Sequence, residues 1–297
     1  MGDTGLNKRS LSYLLLTVFL ICCLVNCSPR PGDITIEHID NPEVLSRGRH
    51  LVRGLAACGI CHATEASPDA VLTGGRQMED SYGKVVAPNL TPARSGLYGW
   101  KAVDIVNVLR LSKKPGGERI LSDAHIGYEW LSDNDAYAIA AYLRSLPPIE
   151  KYNPRRSVSF FKRNTRGLFK TKREVKGYVP DLNPHNTAAY GAYLVDHVAR
   201  CGYCHNTPGD LFNDEVYLGG GKTISFNGKS RVAPAITPSE IDGIGAWSKE
   251  ELVAFLRTGL TPDNKRVDPQ FCPVHFFAQA SREELNAIAE YLKNTDK

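Results

Sequence analysis

Apolar positions along the chain fall into two kinds of pattern. Leu11 to Val25 is almost wholly apolar and follows Lys8 and Arg9. It reads as the h-region of an export signal behind a charged n-region, and is short for a bilayer span. Further on, Ile139, Ala140 and Leu143, and again Leu285, Ile288, Ala289 and Leu292, recur at helical spacing. Ser248-x-x-Glu251 and Ser281-x-x-Glu284 are capping boxes that predict two helix starts. Gly48 and Gly191 fall inside helical stretches, where glycine costs about 1 kcal/mol against alanine. A close crossing of the first and last helices would account for both glycines; so would frayed helix starts.

The pattern repeats. Gly48–Val52 returns as Gly191–Val195, Cys58–His62 as Cys201–His205, and Ala87–Pro92 as Ala233–Pro238. Trp100 matches Trp247, Leu109-Arg110 matches Leu256-Arg257, and Ala138–Leu143 matches Ala287–Leu292. The order is kept and the offset drifts by only a few residues, so the chain holds two homologous units. The predicted organisation is a signal at 1–27, a linker at 28–42, one domain at 43–150, a basic linker at 151–185 and a second domain at 186–297. Each domain is expected to be all-α. From Lys151 to about Lys176 the linker carries Lys151, Arg155, Arg156, Lys162, Arg163, Arg166, Lys170, Lys172, Arg173 and Lys176 against Glu174. Such a run is ordinarily a solvated face, and its sharper reading is docking on an acidic partner or an anionic membrane surface.

Composition narrows the class. A hydrophobic share of 42% over 297 residues is globular, and a net charge of +4 does not argue for nucleic acid. Of eight cysteines, Cys22, Cys23 and Cys27 lie in the leader; Cys58, Cys61, Cys201, Cys204 and Cys272 lie in the body. Cys27 stands where a lipoprotein signal has its lipidated residue, although Asn26 is a poor match for the small residue usual before it. Lipidation, plain cleavage and an uncleaved anchor all fit, and each predicts a periplasmic or cell-envelope protein.

Cys58-Gly-Ile-Cys61-His62 and Cys201-Gly-Tyr-Cys204-His205 carry the chemistry. Cys-x-x-Cys-His is the attachment signature of c-type haem. Two intervening residues put both thiols on one side of a helical turn, where each can form a thioether to a porphyrin vinyl, and the next residue is an imidazole that can reach the iron. A thioredoxin-like pair or a Cys₄ zinc site needs no histidine after each pair. The expectation is two covalent haems, with His62 and His205 as iron ligands.

From the motifs through Gly-Gly, Ala87-Pro-Asn-Leu-Thr-Pro92, Gly-x-Trp, Leu-Arg and Ala141-Tyr-Leu-Arg-Ser-Leu-Pro-Pro148, the chain resembles bacterial class I cytochrome c domains. More narrowly, it is similar to the tandem domains of multihaem cytochrome subunits of alcohol and gluconate dehydrogenases. The likeness covers roughly residues 43–148 and 186–295. It implies an electron carrier, a dehydrogenase subunit, another cytochrome or a quinol-linked complex as partner, and haem propionates near Arg110 and Arg257. An exposed helix arginine is the plainer reading of both. Trp100 and Trp247 read as packing residues.

That family places a methionine opposite the proximal histidine, late in each domain. This chain has Met1, in the leader, and Met78, too soon after His62 and read as a packing residue. Before the last helix each repeat instead has one histidine, His125 and His275. They make bis-histidine ligation the expectation, with Cys272 next and an open site third for the second haem. Loss of methionine predicts comparatively low potentials. The main rival is a diheme enzyme with substrate chemistry at the second haem, thiosulfate-dehydrogenase-like or peroxidase-like. A haem-based sensor is disfavoured by the lack of a signalling domain, and no serine triad, phosphate loop or paired-carboxylate constellation appears.

Overall fold

The computed structural model describes residues 40–161, 164, 175, 177–209 and 212–295. The predicted signal with Cys27, His38 and, of the basic linker, residues 162–163, 165–174 and 176 lie outside them. Among the described residues no helix is long and apolar enough to cross a membrane.

Both repeats are framed by a first and a last helix. In the first repeat α1 (Pro42–Arg53) starts on Asn41, whose side chain accepts from the Glu43 amide, and the motif helix α2 (Gly59–His62) follows. A hairpin of β1 (Gln77–Asp80) and β2 (Gly83–Val86) precedes α3 (Ala102–Leu111). A 3₁₀ turn at Tyr128–Trp130 leads to α4 (Asp133–Ser145), capped by Ser132. The second repeat runs through α5 (Thr187–Tyr193), a π-helical turn at Leu194–Val198, α6 (Cys201–His205), and the hairpin β3 (Thr223–Phe226) and β4 (Lys229–Val232). It closes with α7 (Lys249–Thr258), the short α8 (Val274–Phe277) and α9 (Arg282–Asn294). Both predicted capping boxes form, Ser248 with Glu251 and Ser281 with Glu284.

Gly48 and Gly191 mark close helix crossings rather than frayed starts. A Cβ on Gly48 would lie 1.9 Å from the Ala138 carbonyl oxygen and 2.8 Å from Tyr142 Cβ; one on Gly191 would lie 2.1 Å from the Ala287 oxygen and 2.8 Å from Tyr291 Cβ. The same crossing, α1 on α4 and α5 on α9, therefore builds each repeat.

The expectation of an all-α fold is modified by what lies between the repeats. Among the described residues four strands form one sheet in the order β2-β1-β3-β4, joined across the repeats where Met78 pairs with Phe226. Leu51, Leu55, Ile139, Leu194, Val198, Leu285 and Ile288 belong to one continuous core. The start of the basic linker is not simply solvated either. Arg156 pairs with the buried Asp80 at 2.7 Å and donates to the Gly83 carbonyl at 2.7 Å, while Lys151 Nζ donates to Thr64 Oγ1 at 2.7 Å.

A polar knot closes the interface between the helix pairs. Arg47 grips Asp135 through Nε at 2.8 Å and Nη2 at 2.9 Å, and reaches Glu284 through Nη1 at 3.1 Å. His50 Nε2 lies 2.7 Å from Glu284 Oε2, and Tyr193 Oη donates to Asp135 at 2.7 Å. His50 matches Tyr193 and Asp135 matches Glu284 in the repeat, so the cross-contacts are reciprocal, as at a two-fold interface. Burial pushes the Glu284 carboxyl up, but the hydrogen bond and charge of His50 and the charge of Arg47 outweigh it and hold the group at about 2, against an ordinary 4.5. A depressed carboxylate stabilises the fold in full above its ordinary value and loses that contribution as pH falls toward the folded one. Denaturant unfolding of the holoprotein should therefore weaken between pH 4.5 and 2, by about 3 kcal/mol on the linkage scale. Glu284→Gln should flatten that acid limb, and an unchanged limb in the variant would remove Glu284 from the cause.

Candidate functional site: two thiol–imidazole centres

The chain enters both motif helices through the same uncommon backbone. Ala57 has φ 44° and Arg200 φ 52°, the left-handed region that side chains disfavour. Each immediately precedes the first cysteine of its motif. Such strain persists only where surrounding structure enforces it, and here it turns the chain abruptly into the short helix. Residues three apart share a helix side, so Cys58 faces with Cys61 and Cys201 with Cys204. All four are free thiols. Burial pushes Cys58 and Cys61 up to about 11 and Cys201 up to about 12, and raises Cys204 too, so the sulfurs are neutral S–H groups at neutral pH.

The two imidazoles are fixed in one orientation by equivalent partners. His62 Nδ1 lies 2.9 Å from the Pro88 carbonyl oxygen and His205 Nδ1 lies 2.7 Å from that of Pro234. A carbonyl accepts only from N–H, so each Nδ1 carries the proton and each Nε2 keeps its lone pair, the tautomer a metal ligand needs. Burial lowers the proton affinity of both rings and favours their neutral form. The glycine pairs bring the proline loops close. Gly74 N donates to the His62 carbonyl at 2.8 Å and Gly75 N to Ala87 at 2.9 Å; Gly220 N donates to His205 at 2.6 Å and Gly221 N to Ala233 at 2.8 Å. All four glycines have positive φ, and a Cβ on Gly74 would sit 2.3 Å from the Ala87 oxygen. The role of Pro88 and Pro234 was visible in the sequence only as a repeat-matched Ala-Pro.

The distal candidates divide. His125 stacks with His62, ring centroids 6.2 Å apart and planes 20° from parallel. It also lies 6.0 Å from the ring of Tyr128, whose hydroxyl donates to the Ala56 carbonyl at 3.1 Å. The second repeat does not copy this. His275 Nε2 lies 2.5 Å from the carbonyl of Ala66, in the first repeat, and its Nδ1 is buried without a partner. Cys272 instead lies within electrostatic reach of Cys201 and Cys204, and burial pushes its thiol up to about 12. His50 and His197 are engaged in the interface, His197 through the Gly127 carbonyl at 2.9 Å.

The two arginines implied by resemblance part company as well. Arg110 is neither exposed nor open to a new partner through all its donors: it is buried, its Nη1 pairs with Asp133 at 2.7 Å, and Nη2 donates to the Leu131 carbonyl. Its Nε remains buried without a partner. Arg257 is exposed on the last turn of α7. Trp100 and Trp247 pack against the core, Trp247 edge-on to Phe255 at 5.2 Å.

Between the two motifs lies a small apolar cluster. Met78, Ile224, Phe226 and Ala233 form it, and Ile60, Cys61, Tyr203, Cys204 and Phe271 pack on it. Met78 is thus a packing residue, buried on β1. The last x residue and the second cysteine of both motifs meet on one surface, so the two attachment points are neighbours. Among the described residues no three histidines, cysteines or carboxylates converge as a metal cluster would require.

Neutral, unbridged thiol pairs beside imidazoles presenting Nε2 fit haem bonded through two thioethers, S–H adding across each vinyl. Held this way, haem supplies a one-electron iron couple. These centres define a covalent haem protein. The comparisons agree. No family model matches. The chain is 30% identical over 261 residues to a diheme cytochrome c-type protein of Cereibacter sphaeroides, covering 84% of each chain. It is 28% identical over 296 residues to the fructose dehydrogenase cytochrome subunit of Gluconobacter japonicus, spanning 96% of this chain and 59% of that one. With the gluconate 2-dehydrogenase cytochrome c subunit of Pantoea cypripedii it shares 25% over 269 residues, 86% of this chain and 60% of that subunit. The chain belongs to the diheme c-type cytochromes.

Proposed function

We propose that this is an exported electron carrier with two covalent haems, passing single electrons from a dehydrogenase-type donor to another cytochrome or a quinol-linked complex. The observation that carries the reading is the pair of carbonyl-oriented imidazoles, His62 and His205, each behind a thiol pair on the shared apolar cluster. Adjacent attachment points favour a relay between the haems. The relatives' names support a dehydrogenase partner. The apolar leader supports the cell envelope as the location, with Cys27 as a lipid anchor and the basic linker against an anionic membrane surface.

We assign His62 and His125 to the first iron, on their 6.2 Å stacking. For the second iron, the nearness of Cys272 to the thioether pair, and the engagement of His275 with Ala66, favour His205 with Cys272 over His205 with His275. Neither pair contains methionine, so both haems should have low potentials. Low-temperature electron paramagnetic resonance of the oxidised holoprotein tests this. One bis-imidazole and one imidazole–thiolate low-spin signal are expected, with Cys272→Ser changing only the second. Potentials and spectra of His/Met type would sink the assignment. Cys272 also favours a second reading, sulfur-substrate oxidation at the second haem. Thiosulfate-dependent reduction of the haems, abolished in Cys272→Ala, would select it over the carrier.

A further inference from the structure

We propose that the second repeat holds the distal loop of the first haem in place, with Arg200 as the positioning residue for His125. The inference rests on the reading of His125 as that haem's distal ligand. Arg200 Nη1 donates to the carbonyls of Ala124 at 2.5 Å and of Ile126 at 3.2 Å, the residues on either side of His125. Its guanidinium carbon lies 3.9 Å from the centre of the Tyr128 ring, which itself neighbours His125. A second bond from the same repeat, His197 Nδ1 to the Gly127 carbonyl at 2.9 Å, fastens the next residue of the loop. Gly127 has φ 106°, and a Cβ there would lie 3.1 Å from Arg200 side-chain carbons and from the Asp196 oxygen, so the loop is seated directly on this segment.

The clamp is not a copied feature of the repeat. Position 57, the counterpart of Arg200, is an alanine. Both carbonyls accept from the one Nη1, and a cationic side chain long enough to reach them retains its charge there, which suits gripping two carbonyls around one residue. Arg200 is bonded through the chain to Cys201, so one residue links the attachment site of the second haem to the distal side of the first. A reciprocal contact exists: Arg76, in the first repeat, donates through Nη2 to the Gln270 carbonyl at 2.7 Å, two residues before Cys272.

The test uses the full holoprotein and carbon monoxide as probe. Arg200→Met should convert one haem from low to high spin when oxidised and let it bind carbon monoxide when reduced, while the signal of the other haem stays unchanged and reports a folded protein. Arg200→Lys should restore most of the low-spin signal. His197→Gln, a milder change, should give a smaller gain in carbon monoxide binding at the same haem. His125→Ala separates the two claims. If it leaves both haems low-spin, the ligand reading fails; if it opens one haem while Arg200→Met and His197→Gln do not, the ligand reading stands and the clamp is refuted. Loss of both haems in Arg200→Met and His197→Gln would also count against it, because the proposed role is local.

Discussion

Cys201→Ala combined with Cys204→Ala should yield a protein lighter than wild type by one porphyrin, with half the haem absorbance and the first haem's spectrum retained. Each centre has its own thiol pair, its own Pro-carbonyl partner and its own left-handed entry residue, so attachment at Cys58 and Cys61 does not depend on the second pair. The second repeat should also lose stability. Cys204 packs on the Met78–Phe226 cluster and Cys201 on the main core, so both substitutions remove buried contacts there. Mass spectrometry of protein matured in a cytochrome-competent host decides the matter. A variant of wild-type mass, or wild-type protein with no porphyrin bound, would overturn covalent haem attachment at these residues.

Gly191→Ala should destabilise the protein even though alanine is the better helix former. Helix propensity favours the change by about 1 kcal/mol. Against it, the new Cβ would meet the Ala287 carbonyl oxygen at 2.1 Å and Tyr291 Cβ at 2.8 Å. A backbone oxygen in a helix cannot rotate aside, so the crossing must open. Overpacking of this kind costs about 1–3 kcal/mol and occasionally more, so the packing loss wins. For a chain of this size each kcal/mol is worth roughly 2–4 °C in melting temperature. Gly48→Ala, with its Cβ 1.9 Å from the Ala138 oxygen, should behave alike in the first repeat. A holoprotein melting at or above the wild-type temperature in both variants would show that the helices adjust without loss.

How much of this was legible beforehand follows the range of the interactions. The motif histidines, the capping boxes at Ser248 and Ser281 and the doubled layout were readable because each depends on residues a few positions apart, or on direct comparison of two stretches. The strands were not. Gln77–Asp80 and Lys229–Val232 are four residues long, too short to carry an alternating signal, and β1 joins β3 through a single pairing. Arg110 looked the same as Arg257 in the sequence, yet Asp133 and the Leu131 carbonyl draw one into the interior and the other stays in solvent. His125 and His275 looked equivalent as well. One stacks on His62, and the other bonds a carbonyl in the opposite repeat.

By itself the sequence determined the repeat, the thiol pairs, the imidazole that follows each and the starts of two helices, because local spacing along a helical turn is enough to specify them. Only the tertiary structure decided which carbonyl orients each imidazole, that His125 stacks on His62 while His275 turns to Ala66, and that one repeat grips the loops of the other. Those outcomes come from contacts between segments tens of residues apart, where burial and hydrogen-bond satisfaction across the repeat interface select one partner among chemically similar candidates.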